Sequence, residues 1–133
     1  MNLQLFARRF VVFTVLLFLA ITTVAPPAHA FVQSDLDTLK LTKVCQQCDL
    51  SGADLSGLKL TRADLAGANL SNANLSNASL AFANLAGTNL LGAQLAGCKL
   101  GLANLESAQV DEGSLESAVL LQTIMPDGSI RDQ

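Results

Sequence analysis

From Leu50 to Leu120 an apolar residue stands at every fifth position, and it is Leu throughout except at Val110. This period fits neither regular element. An amphipathic helix repeats its apolar residues every three or four positions, and a strand alternates every two. A strict five winds around a helix and changes sides along a strand, so neither could bury the series on one face. The spacing predicts a backbone that turns a corner every five residues, with each Leu pointing inward.

A second register supports the same geometry. Two residues before the apolar positions lie Cys48, Ala53, Leu58, Ala63, Ala68, Ala73, Ala78, Ala83, Thr88, Ala93, Cys98, Ala103, Ala108, Gly113 and Ala118. Most are Ala and only Leu58 is large, which suits a narrow, close-packed core. The residue between the two registers is usually polar, as at Asp54, Asp64, Asn69, Asn74, Asn84, Asn89 and Asn104. The remaining two positions favour Ser, Ala, Gly and Asn, as in Ser51-Gly52 and Ser76-Asn77. Gly adopts positive φ freely and Asn tolerates the left-handed region, so both suit corners. Disorder does not fit, because it needs low hydrophobicity. Leucine-rich repeats do not fit either, because their longer unit spaces Leu unevenly.

The triplets Ala53-Asp54-Leu55, Ala63-Asp64-Leu65, Ala68-Asn69-Leu70, Ala73-Asn74-Leu75, Ala83-Asn84-Leu85 and Ala103-Asn104-Leu105 resemble the A-(D/N)-L-x-x unit of the pentapeptide-repeat family. The resemblance covers residues 48–122. It implies an all-β solenoid, a right-handed quadrilateral β-helix with four pentapeptides to a coil, so that residues twenty apart stack. The segment then makes about four coils, a rod of about 18 Å at roughly 4.8 Å per coil. Such a rod needs capped ends. Residues 31–47 are expected to form an N-terminal helical cap. Ser34 and Asp37 read there as a capping-box variant, Leu36 and Leu39 share one face, and Lys40 and Lys43 suit the helix C-terminus. Residues 123–133 are expected to form a C-terminal cap or tail. In it Met125-Pro126-Asp127-Gly128 is a turn, and Leu121, Ile124, Met125 and Ile130 supply apolar cover.

The first thirty residues differ in kind. Arg8 and Arg9 precede an apolar run from Phe10 to Ile21, and Ala28-His29-Ala30 offers a small-x-small cleavage site. That is the layout of a secretory signal peptide, residues 1–30. A retained anchor would want about 20 apolar residues. Cleavage removes Arg8 and Arg9 but no acidic residue, so the remainder is more acidic than the −3 of the whole chain. Lys59, Arg62 and Lys99 are scattered along the sequence and make no phosphate-binding stripe, so nucleic acid is not an expected partner. Membrane contact is expected only through the signal segment.

Export makes disulfides possible. The Cys45-x-x-Cys48 pair reads as a local structural disulfide, as two free thiols, or as a redox-responsive pair. Zinc wants four ligands, and the one His in the chain, His29, leaves with the leader; no metal and no cofactor are expected. In the implied β-helix Cys98 lies on the opposite wall from Cys48 and about 12 Å along the axis, too far for a disulfide. It reads as a small buried hydrophobe. The run Leu41 to Ala53 and the closing Thr123 to Gly128 resemble the opening and closing segments of exported cyanobacterial and plastid pentapeptide-repeat proteins. That resemblance implies the thylakoid lumen or the periplasm, and no activity.

No catalytic residue is expected: Asp49, Asp54 and Asp64 fall on three different walls, and Glu106, Asp111, Glu112 and Glu116 read as a solvated face. A DNA mimic that binds gyrase, as some family members do, is an alternative weakened by the leader and by acidic residues that do not recur at twenty. The remaining reading is a non-catalytic protein-interaction or scaffold module with an unidentified protein partner, a second copy included. Its expected surface is the wall centred on Leu60, Leu80, Leu100 and Leu120, where Phe82, Leu102, Val119 and Leu121 point outward. Exposed apolar patches mark contacts; the competing expectation is that the C-terminal tail covers this wall. Mass spectrometry of the native protein should find a mature N-terminus at Phe31, and an intact Met1 form recovered from the cytosol would remove the export reading.

Overall fold

The computed structural model describes residues 32–132; the expected leader and its cleavage site lie outside the described residues. The five-residue register folds as its spacing requires. Leu50, Leu55, Leu65, Leu70, Leu75, Leu80 and Leu85 are fully buried, as are Ala53, Ala63, Ala68, Ala73 and Ala78 between them. Cys45 takes the Leu position ahead of Leu50, and Met125 takes the one after Leu120. Thr88 and Thr123 stand in the small register, and each buried hydroxyl donates to a backbone carbonyl, of Leu85 and Leu100 respectively, both at 2.8 Å. A buried hydroxyl without such a partner would be costly.

The backbone pairs with itself twenty residues on. Parallel bridges run from Val44↔Asp64 to Asn104↔Ile124. In a middle coil the Leu75 N–H donates to the Gln94 carbonyl at 2.9 Å, and the Asn74 N–H donates to the Ala53 carbonyl at 2.9 Å. Between bridges the Ala78 N–H donates to the Leu75 carbonyl at 3.0 Å and closes the corner. Of the expected all-β solenoid the structure shows isolated parallel bridges and little strand. A five-residue unit spends the rest of its length turning, so each wall keeps one bridged residue per level. Among the described residues the named strands are β1 (Thr123–Ile124) and β2 (Ile130–Arg131), an antiparallel pair in the tail. The bridged run extends past the expected 48–122 at both ends.

One corner departs from the register. Gly113, expected as a small inward residue, is exposed, and Val110 is only partly buried. Positive φ falls on Gly113 at 77° instead of on Glu112, and a 3-10 turn follows at Ser114–Ser117. Gly takes that conformation without a Cβ penalty, so the turn slips one residue. The Gly97 N–H consequently reaches the Ser117 carbonyl, and the regular Lys99↔Val119 bridge resumes beyond it.

At the N-terminal side, α1 spans Gln33–Thr42 and places Leu36 and Leu39 in the same buried cluster as Leu50 and Leu55. The expected capping box is absent. Val32 is the N-cap with no side-chain bond, Ser34 lies inside the helix, and Asp37 accepts from Gln33 Nε2. The first turn instead serves the ladder. The Val32 N–H donates to the Asp49 carbonyl at 3.1 Å, and Asp35 Oδ2 accepts the Asp49 N–H at 2.9 Å. At the other end the Gly128 N–H closes the expected turn on the Met125 carbonyl at 2.9 Å. Of the expected tail cover, Met125 is buried, whereas Leu121 and Ile130 stay exposed because β2 pairs along β1 rather than folding over the core. Leu75→Asp should prevent folding, since an unpaired buried charge costs several kcal/mol. Asn77→Asp, at an exposed corner, should shift the melting temperature by no more than a few degrees; thermal denaturation followed by circular dichroism checks both.

Candidate functional site

Cys45 and Cys48 are joined in a disulfide with a Cα–Cα distance of 5.4 Å. Both belong to the core registers, Cys45 buried in the Leu position and Cys48 half-buried in the small one. The Cys45 sulfur lies 3.2 Å from the Asp35 carbonyl oxygen, so the bridge sits where α1 meets the first bridged residues. Cys98 is a free, fully buried thiol. Burial pushes its pKa up to about 12, because a thiolate there loses its hydration. Among the described residues no cluster of His, Cys, Asp or Glu is placed to hold a metal.

The acidic positions serve the backbone. Asp49, Asp54 and Asp64 stack over Asn69, Asn74 and Asn84 on separate walls, each accepting from the Asn amide. Each also accepts the backbone N–H two residues on, from Ser51, Ser56 and Ala66. Hydrogen bonds from the Ser51 and Ser56 side chains, then from their backbone N–H groups, hold the Asp49 and Asp54 carboxyls below the usual value. Acid over Asn, never acid over acid, makes no column of negative charge.

The wall around Leu60, Leu80, Leu100 and Leu120 is different. Lys59, Ser79, Lys99 and Val119 form one bridged column along it. Arg62, Phe82 and Leu102 form a second, tied by bonds from the Arg62 N–H to Ala81, the Phe82 N–H to Gly101 and the Leu102 N–H to Leu121. Phe82 is 52 % exposed, Leu102 44 %, Val119 51 % and Leu121 58 %. The tail therefore leaves the wall open. Phe82 and Leu102 hold φ of 61° and 59°, a conformation that costs an ordinary side chain about 1 kcal/mol or more. The Arg62 guanidinium lies 5.6 Å from the centre of the Phe82 ring, within cation–π range.

Lys59, Arg62 and Lys99, scattered along the chain, thus share one wall. Reading the sequence in steps of twenty finds them; reading it for linear charge runs does not. The sequence pattern also gave no sign of a cavity of about 280 Å³ at the C-terminal end. Its floor is Val110, Leu115, Leu120 and Met125, and its rim includes Glu112, Glu116 and Arg131. The slipped corner at Gly113 is one side of it.

The pentapeptide-repeat family model matches residues 44–77 and 73–109. The chain belongs to this family. Among solved structures it is similar to a pentapeptide repeat protein from Nostoc PCC 7120, at 26% identity over 73% of this chain and 81% of that one, with a TM-score of 0.63. It is also similar to HetL, a pentapeptide repeat protein involved in heterocyst differentiation regulation in the cyanobacterium Nostoc sp. strain PCC 7120. That match has 36% identity over 66% of this chain and 49% of HetL, with a TM-score of 0.41. The chain thus spans about half the length of HetL. A pentapeptide repeat protein of the Arabidopsis thaliana thylakoid lumen matches at 32% identity over 65% of this chain and 70% of that one, with a TM-score of 0.29. No match was found among curated proteins.

Thiol mapping under non-reducing conditions should recover a Cys45–Cys48 peptide and leave Cys98 resistant to iodoacetamide at pH 8 until the protein is denatured. Because the folded pKa of Cys98 is raised to about 12 from an ordinary 9.0, its contribution to stability is intact below pH 9. It should decline as pH climbs towards 12, and urea denaturation across that window reads it.

Proposed function

We propose that the protein is a non-catalytic, exported interaction or scaffold module of the thylakoid lumen or periplasm, and that its contact surface is the wall bearing Phe82, Leu102, Val119 and Leu121. In this reading the chain comprises a leader at 1–30, a right-handed quadrilateral β-helix of about four coils, α1 as its N-terminal cap and the hairpin tail as its C-terminal one. The observation that carries the surface is the exposed bulk of Phe82 and Leu102 at stacked corners. Both are bulky, exposed and left-handed at corners where Asn and Gly fit more cheaply. Gln47, Arg62, Ser107 and Gln122 take the same corner conformation, so it is the exposed apolar bulk that sets these two apart, and aromatic anchors contribute disproportionately to contacts. The export half of the reading rests on the leader layout and on the opening and closing motifs.

A redox-responsive role is a second reading, supported by the Cys45–Cys48 disulfide beside α1. Reduction would release the tie at the point where Asp35 meets Asp49. A melting temperature and target capture unaffected by reductant would remove it.

Phe82→Ser combined with Leu102→Ser should abolish capture of the native target from the exported fraction and leave the melting temperature within a few degrees of wild type. Loss of binding and stability together would mean that the wall is covered in solution. Neither changing would strip the wall of its role.

A further inference from the structure

We propose that this wall docks on an anionic lipid surface, which places the module at a membrane face after any leader is gone. The proposal rests on the wall being the contact surface and names what it contacts.

The first support is charge segregation. Between residues 44 and 126 the basic residues are Lys59, Arg62 and Lys99, and all three stand on the wall that carries Phe82, Leu102, Val119 and Leu121. The acidic residues of the same span, Asp49, Asp54, Asp64, Glu106, Asp111, Glu112 and Glu116, all lie off it; beyond the span one acid, Asp132, accepts the Gln122 N–H at the C-terminal end of the Arg62, Phe82 and Leu102 column. A chain that is acidic overall thus presents one cationic, apolar side. The nearest acid in sequence, Asp64, is turned into its own column by Gln46, Ala66 and Asn84.

The second support is size and shape. The wall offers about three extended residues across and four stacked levels along, or roughly 10 Å by 19 Å at about 3.3 Å per residue and 4.8 Å per level. That is a small face, about 200 Å² in plan. A bilayer requires no matching surface. A few apolar side chains enter the headgroup boundary while basic side chains meet lipid phosphates. Arg62 against the Phe82 ring fits that layout, with the ring entering and the guanidinium staying at headgroup level.

The test is co-sedimentation with phosphatidylcholine vesicles, pure or with about one third phosphatidylglycerol. It uses protein recovered from the exported fraction, its N-terminus defined by mass. Any retained leader is common to all variants, so differences between them belong to the wall. Wild type should partition much more strongly to the anionic vesicles, and added salt should weaken it. Lys59→Gln, Arg62→Gln and Lys99→Gln should each weaken binding about fivefold, and together about a hundredfold. Phe82→Ser with Leu102→Ser should also weaken it, while Glu106→Gln with Glu112→Gln, off the wall, should not. Circular dichroism confirms that each variant is folded. Equal partitioning to both vesicles, or wall variants that bind like wild type, overturns the proposal. Wall variants that lose target capture but keep vesicle binding also overturn it, and they identify an acidic protein as the occupant with the interaction module intact.

Discussion

The structure depends on one hydrogen-bonding constraint: from Leu50 to Leu105, Leu95 excepted, the inward Leu of each unit donates its N–H to a carbonyl nineteen residues ahead, as Leu50 does to Asn69 and Leu80 to Lys99. Once that offset is kept, all else is placed. The chain must return alongside itself every twenty residues, the units between must bend, and the two inward positions must fill the space between them. Leu with Ala fills it, which is why the core varies so little along the axis. Outward positions carry no such duty. The same scaffold therefore accepts an Asn column on one wall and a cationic, apolar column on another.

The polar position between the registers shows how the constraint recruits side chains. Asp49 and its relatives accept the N–H two residues on, which shapes the corner, and accept the Asn amide of the next level, which ties levels together. One carboxylate or amide thus supports the turn within a unit and the stack between units. These acids are part of the fold's hydrogen bonding, and the depressed pKa of Asp49 and of Asp54 follows from the donors around them.

The repeating core was legible in the sequence because its signal is strictly periodic, and the buried Leu and Ala residues fall where the period puts them. The Met125-Gly128 turn was legible for a similar reason, since Pro and Gly fix local backbone directly. The features that escaped depend on other levels of structure. The capping box failed because Asp35, one residue after Ser34, is drawn to the Asp49 N–H, and a tertiary bond outweighs a local one. Gly113 failed because its freedom of φ outranked its place in the register. The gathering of Lys59, Arg62 and Lys99 on one wall is invisible at a period of five and appears only at twenty.

The slipped corner at Gly113 behaves like a dislocation in a crystal. The contacts of Gly92, Gln94, Leu95 and Gly97 to the next level are lost or shifted, Gly92 turning to the Asp111 carboxylate and Gly97 to the Ser117 carbonyl, and the lattice is whole again at Lys99 and Val119. The error does not propagate, because each level is pinned separately by its own backbone bonds. The spacing of Leu105, Val110, Leu115 and Leu120 is unbroken through the slip, so the change is one of corner conformation and the later bridged positions face as before. The chain's surfaces are thereby insulated from a distorted corner that would twist an ordinary strand along its whole length.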